Sequence, residues 1–280
     1  MRIAINGVTY RVRVAGDGPA LLLLHGFTGT GATWDGLVPT LSRQFRTLAP
    51  DLIGHGETGA PPDPARYRME RCVADLLALL DALEADRCHV LGYSMGGRVA
   101  LHLALAAPER VLTLVLEGAS PGIPDPAERA QRVQQDEALA AFIEREGVAA
   151  FAERWERMPI FDSQRRLPAA VRAALRAQRL QHTGIGLANS LRGMGAGAQE
   201  PVVERLSELT MPCLLVAGEL DDKYRGLVAA MAARMPRAET AVVPGAGHNV
   251  HLEKPEAFLE RVLAFWAKHG VPGGTGPAPR

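Results

Sequence analysis

Apolar positions along the chain follow two rhythms that take turns. RIAINGVTYRVRVAG (2–16) alternates around Asn6-Gly7 and predicts two antiparallel strands, since Asn-Gly accepts the left-handed backbone of a two-residue hairpin turn. ALLLLHG (20–26) is apolar without a break and stops at glycine, as a strand buried on both faces would. FRTLAPDLIGHG (45–56) supplies a further strand and a glycine-punctuated loop. From Met69 to Leu83 the spacing changes, with Cys72, Leu76, Leu79, Leu80 and Leu83 on one helical face. RCHVLGYS is the next strand and MGGRVALHLALAAP the next helix, stopped by Pro108. VLTLVLEGAS (111–120), PCLLVAGELDD (212–222) and TAVVPGAGHNV (240–250) are three more strands with their loops. PEAFLERVLAFWAKHG is a closing amphipathic helix that ends at Gly270.

Strands alternating with helices predict an α/β fold with a mostly parallel central sheet covered by helices on both faces. The stretch 120–210 breaks the alternation: it is helical in pattern and rich in arginine. It reads as a helical cap inserted over the strand ends, where open α/β sheets bind ligands. The expected organisation is a first core part at 1–119, the cap at 120–210, a second core part at 211–270 and a flexible tail at 271–280.

Composition narrows the function classes. The 31 basic and 31 acidic side chains cancel, so nothing points to a nucleic-acid partner. No run of about 18 apolar residues is present, so no membrane span is expected. The N-terminal residues alternate as a strand does and lack the apolar core of a signal peptide. The three cysteines, Cys72, Cys88 and Cys213, have no metal-ligand spacing and read as reduced thiols of a cytoplasmic protein.

The chemistry centres on GYSMGG (92–97), a G-x-S-x-G sequence set between strand and helix. That context holds Ser94 exposed on a strained turn, with the N-terminus of a helix behind it. A serine hydroxyl needs a base, and His248 lies in a glycine-rich loop after the last strand, where the order Ser, acid, His places it. His251 is the fallback, its other reading being a surface loop histidine. His89, His102, His182 and His269 fall in strand, helical or exposed segments. The acid belongs after the strand LLVAG, which offers Glu219, Asp221 and Asp222. Asp221 is favoured as the group that fixes the imidazole tautomer, with Asp222 the neighbour and Glu117 a distant substitute. Asp51 reads as structural. His25-Gly26 bends the chain after a strand, so the backbone N–H groups of Phe27 and Met95 form the expected oxyanion hole; His25 itself reads as a brace for that loop. Arg98, one helical turn after Ser94, is placed to face the same cavity and suits a carboxylate.

These residues together resemble the α/β-hydrolase superfamily over about residues 1–270. LHGFTGTGATW, GYSMGGR, LEGASPGI, ERWERMPIF, GLANSLRGMGAG, GELDDKY and AGHNVHLEKPE resemble more closely the 2-succinyl-6-hydroxy-2,4-cyclohexadiene-1-carboxylate synthases of menaquinone biosynthesis. Several of these segments lie in the cap, which varies widely across the superfamily, so the match is more specific than the triad. The resemblance implies a lyase with a small tricarboxylate substrate, no metal and no organic cofactor. It implies substrate contacts from Arg132 and Arg179, with Tyr93 and Trp155 lining the cavity; Arg129 and Lys223 are weaker candidates. It further implies that Ser94 acts as a general base. The same triad also suits a carboxylesterase, in which Ser94 is the nucleophile. A third class, a ligand receptor on this fold, is opposed by the complete set Ser94, Asp221 and His248. Oligomeric state is not legible.

Overall fold

A computed structural model describes residues 1–271. Among these residues, eight strands form a single sheet: β1 (Arg2–Ile5), β2 (Val8–Ala15), β3 (Ala20–Leu24), β4 (Arg46–Pro50), β5 (Cys88–Tyr93), β6 (Val111–Glu117), β7 (Cys213–Gly218) and β8 (Ala238–Val243). The helices are α1 (Val38–Leu41), α2 (Met69–Ala82), α3 (Met95–Ala106), α4 (Pro126–Glu156), α5 (Ala169–Leu180), α6 (Gly184–Met194), α7 (Asp222–Ala232), α8 (Val250–Glu253) and α9 (Pro255–Lys268). Strand order is β1-β2-β4-β3-β5-β6-β7-β8. The β1–β2 and β2–β4 pairs are antiparallel, and every other pair is parallel. The expected α/β class and mostly parallel sheet are therefore present. The hairpin turns at Asn6 (φ 47) and Gly7 (φ 81), both left-handed as a two-residue loop requires.

Period two divides each central strand between two cores. Leu22, Leu24, Val90, Leu114, Leu116 and Leu215 face a layer that also holds Leu76 and Leu80 of α2 and Val99 and Leu103 of α3. Leu21, Leu23, Leu91, Val115, Leu214 and Val216 face the opposite layer, filled by Trp34, Phe45, Phe258 and Trp266. Both faces are buried, which is why these strands read as continuous apolar runs.

The helical stretch after β6 has its own small core of Ala140, Ile143, Phe151, Leu187, Ala188 and Leu191. α4 bends at Gly147, whose φ of 83 and ψ of 169 lie outside the helical range, so its two halves wrap that core. The two necks of the cap meet where the Val202 amide donates to the Pro121 carbonyl at 2.8 Å. Val202, Leu206 and Leu209 pack into the main core, so the last part of 120–210 belongs physically to the sheet's helical layer. Of the expected tail, Val271 is buried against the layer of Trp266, and the rest lies outside the described residues. α7 is an element that the apolar pattern does not mark. Only Val228 and Met231 of it are buried, too few to set a rhythm.

Five histidines are held neutral by the fold. Burial pushes His25, His89 and His102 down to about 4, and lowers His55 and His182 as well. His89 donates or accepts at Thr113 Oγ1 (2.8 Å), while His102 Nε2 is sealed without a partner. In an unfolded chain these rings titrate near 6.5, so below that pH the unfolded state takes up protons that the folded state refuses. Stability is thus full above the unfolded value and falls as pH drops from about 6.5 toward 4. A melting temperature followed from pH 8 to pH 4 should be level at the top of that range and decline below pH 6.5. Replacing His102 by Gln should make the decline shallower; a curve flat down to pH 5 would contradict this account.

Candidate active site

The site is built on the turn from β5 into α3. Ser94 adopts φ 52 and ψ −110, a conformation that costs a non-glycine residue of order 1–3 kcal/mol. The surroundings over-determine it. The Ser94 amide donates to the Glu117 carbonyl (2.8 Å) on β6, and the Arg98 amide closes the first turn of α3 on the Ser94 carbonyl (3.0 Å). A side chain at Gly96 would strike the carbonyls of Leu24 and His25, and one at Gly92 the backbone of Gly96. These two glycines let three backbone segments meet under the serine.

His248 Nε2 lies 3.0 Å from Ser94 Oγ, and its Nδ1 lies 2.7 Å from Asp221 Oδ2. Asp221 is itself held by capping α7, its Oδ1 accepting from the Tyr224 amide at 3.3 Å. Ser94, His248 and Asp221 therefore form one hydrogen-bonded chain, with the histidine oriented by a carboxylate as general-base activation of a hydroxyl requires. Asp222 lines the same cavity but pairs with Arg225 (2.9 Å) and not with His248. Glu219 accepts from the Gly245 amide at 2.8 Å.

Glu117 and His251 make a second buried pair. Glu117 Oε2 lies 2.7 Å from His251 Nδ1, and Glu117 Oε1 accepts from the His251 amide at 3.1 Å. His251 is thus buried, not a surface loop histidine, and it sits edge-on to Tyr93 with ring centroids 4.9 Å apart. Asp51 is structural, accepting from the amides of Gly31 (2.7 Å) and Glu57 (2.9 Å). His25 accepts from the Leu52 amide at Nε2 (2.9 Å), so Nδ1 carries the proton and donates to the Gly26 carbonyl (2.8 Å). Neither the Phe27 nor the Met95 N–H is taken by another backbone carbonyl among the described residues. Both residues line the cavity beside Ser94.

Two chambers flank Ser94. The first, of about 680 Å³, is lined by the triad and by Arg98, Arg132, Arg166 and Lys223. The second, of about 530 Å³, holds Tyr93, Arg179 and His251. Phe27, Trp155 and Phe161 border both, with Trp155 edge-on to Phe27 at 5.3 Å. Arg98 lies in the wall of the first chamber. Its Nη1 donates to neutral acceptors, the Met194 carbonyl (2.7 Å) and Gln199 Oε1 (3.3 Å). Burial pushes its guanidinium down to about 10, and the cationic Arg132 adds to the effect. Arg132 is steadied through Nε by Asp136 (2.8 Å). Arg179 sits apart from these two: it is buried in the second chamber, paired with Glu156 (3.2 Å) and over the Phe161 ring. Arg129 faces Glu200 at 4.0 Å and does not line either chamber.

Sequence reasoning missed Arg166, Ser163 and Glu253. Glu253 Oε1 accepts from Ser163 Oγ (3.0 Å) of the cap, and Oε2 accepts from the Gly247 amide (2.8 Å) beside His248. No spacing signal marks such a bond between residues 90 positions apart. Among the described residues, no group of three or more His, Cys, Asp or Glu side chains is gathered as a metal ion would need.

Residues 19–255 match the family described as alpha/beta hydrolase fold, and the chain belongs to that family of enzymes. Within it, the chain is 42% identical over 264 residues to the Bacillus subtilis (strain 168) protein named "Putative 2-succinyl-6-hydroxy-2,4-cyclohexadiene-1-carboxylate synthase". That similarity covers 93% of this chain and 95% of the relative. The structure is similar to that of MenH from S. aureus, with TM-score 0.88 and 30% identity, covering 93% of this chain and 98% of that one. It is also similar to a thermophilic esterase from Thermogutta terrifontis, solved with malate bound, at TM-score 0.86 and 26% identity over 96% and 99% of the two chains.

The roles of the acids can be separated by labelling with a fluorophosphonate, which reports an activated serine whatever the natural substrate. Ser94→Ala should abolish labelling and His248→Ala should slow it at least about 10³-fold, in line with losses at such triads. Asp221→Asn should slow it by about 10²-fold or more, and Asp222→Asn by less than about threefold. Equal effects of the two aspartate variants would remove Asp221 from the site.

Proposed function

We propose that the protein is a pyruvate-eliminating lyase that converts 2-succinyl-5-enolpyruvyl-6-hydroxy-3-cyclohexene-1-carboxylate to 2-succinyl-6-hydroxy-2,4-cyclohexadiene-1-carboxylate. The observation that carries this reading is the Arg98 guanidinium. It lies in the cavity wall one helical turn from Ser94, and its recorded hydrogen bonds go only to neutral groups. A guanidinium partly withdrawn from water without a counter-ion is costly, and an anionic substrate repays that cost. Arg132, Arg166 and Lys223 also line the chamber, whose own carboxylates are engaged, Asp162 with Arg165, Asp222 with Arg225 and Asp221 with His248, and this suits a substrate that brings carboxylates of its own. The names of the Bacillus subtilis relative and the S. aureus structure support the same reaction. A cytoplasmic location suits the three free, buried thiols.

In this mechanism His248, oriented by Asp221, takes the Ser94 hydroxyl proton, and the serine oxygen removes the ring proton alpha to the succinyl ketone. The electron pair moves onto the ketone oxygen, and the N–H groups of Phe27 and Met95 hold the resulting dienolate. Collapse forms the first ring double bond, shifts the existing one along the ring and breaks the carbon–oxygen bond to the enolpyruvyl group. The proton held by His248 passes to the departing enolpyruvate, which becomes pyruvate. Placed proton transfer contributes typically about 10²–10⁴-fold, and one oxyanion donor about 10²–10³-fold.

A second reading, hydrolysis of a carboxylic ester by nucleophilic Ser94, draws on the same triad and on the esterase neighbour. Incubation with the enolpyruvyl substrate distinguishes the two. Pyruvate should appear with the wild type and not with Ser94→Ala. Arg98→Met should lower kcat/KM by about 10²-fold or more, the range for losing a charged hydrogen-bond partner, while leaving fluorophosphonate labelling intact. Rapid turnover of neutral p-nitrophenyl esters with no pyruvate release would favour the esterase.

A further inference from the structure

His182 belongs to the cap, between α5 and α6, yet both of its ring nitrogens are committed to the core. Nε2 lies 2.9 Å from the Thr28 carbonyl oxygen, and Nδ1 lies 3.0 Å from the Gly56 amide nitrogen. An amide can only donate, so Nδ1 accepts, and Nε2 carries the proton and donates to Thr28. The ring is 5% exposed, not in the exposed segment that its neighbours in sequence suggest. Only the neutral imidazole can make both bonds, and burial keeps its pKa below the usual value.

Thr28 is the other strained residue of the site. Its φ is 67. For a β-branched residue this is a true outlier, and it persists only where neighbours hold it. Side chains pin the turn from both ends. His25 takes the Gly26 carbonyl at 2.8 Å. The Gly26–Phe27 peptide is planar and trans, so a carbonyl fixed on one side aims the Phe27 N–H to the other. His182 takes the Thr28 carbonyl, and Gln178 Nε2 donates to Thr30 Oγ1 at 2.8 Å. His25 is part of the core, whereas His182 and Gln178 come from the cap. The His55 ring fills the space between the two histidines, with centroids 5.1 Å from His25 and 5.2 Å from His182.

We propose that His182 is a positioning residue for the oxyanion hole. By donating to the Thr28 carbonyl it holds, from the cap side, the left-handed turn that follows Phe27, adding to the hold that His25 and the Gly29 amide (2.9 Å) exert on the Gly26 carbonyl from the core. The inference rests on Phe27 serving as an anion donor, which the lyase and the esterase readings share.

Phenylboronic acid tests it without the natural substrate. Ser94 Oγ bonds to boron, His248 accepts the hydroxyl proton, and the resulting tetrahedral boronate anion puts a hydroxyl oxygen in the oxyanion hole. His182→Gln keeps an N–H that reaches Thr28; His182→Asn keeps only an acceptor near Gly56; His182→Phe fills the space with neither. The Asn and Phe variants should bind the boronate at least about 10-fold more weakly, and release pyruvate with kcat lowered about 10- to 100-fold and KM within about threefold, as for a weakened oxyanion donor. The Gln variant should stay within about threefold of wild type in each measure. An Asn variant that binds the boronate like wild type, or a Gln variant that falls with the other two, overturns the inference. Should the Asn and Phe variants fail to fold, the wild type carries the test by proton NMR: the His182 Nε2–H resonance should be protected from exchange with solvent and should shift when phenylboronic acid fills the oxyanion hole. A His182 Nε2–H resonance that the boronate leaves unmoved would overturn the inference. Differences in boronate affinity with no pyruvate from the wild type would sink the lyase reading alone.

Discussion

The structure depends on keeping one serine where serine does not rest. A backbone at φ 52 is uphill for Ser94. Neither its own hydroxyl nor the triad pays that cost. It is offset by the sheet below, through the bond to the Glu117 carbonyl and through glycines that let β3, β5 and α3 close to backbone contact. The apolar layers on both faces of the sheet stabilise that packing, so core and chemistry are one mechanical system. A cavity under β5 would be felt at Ser94 before it was felt at the surface.

Charge is arranged with the same economy. The triad histidine has its carboxylate, and His251 beside Tyr93 has Glu117. Arg132 has Asp136, and Arg179 has Glu156. Arg98 is the exception, with a carbonyl and an amide for company. Among the arginines that line the two chambers, Arg132 and Arg179 are held by carboxylates and Arg98 by neutral acceptors alone. Asp136 acts on Arg98 only through space, since its oxygens accept from Arg132 and the Gly197 amide.

Much of this was legible in the sequence, for identifiable reasons. Strands buried on both faces write themselves as unbroken runs such as ALLLL, and the hairpin announces itself through Asn6-Gly7. Ser94, Asp221 and His248 were readable because each sits just past a strand, so chain order substitutes for geometry. α7 was not readable, because its inward face is two residues wide. The placement of Arg179 in the second chamber was not readable either. Its helix α5 has arginines at several turns, and only the fold of the cap decides that Glu156 meets this one. His182 and Thr28 are 154 residues apart, and neither residue type hints at the other. Tertiary hydrogen bonds between a cap and a core leave no periodic trace.

The order of the triad along the chain also has a consequence for synthesis. The ribosome delivers Ser94 first, then the cap, then Asp221, and the base His248 only after the edge strand β8. One of the two layers that back the Ser94 turn is filled by Phe258 and Trp266 of α9, and both follow His248 along the chain. Serine, acid and base are therefore all made before the packing that braces the turn is complete, and the last helix completes the mount and the catalyst together.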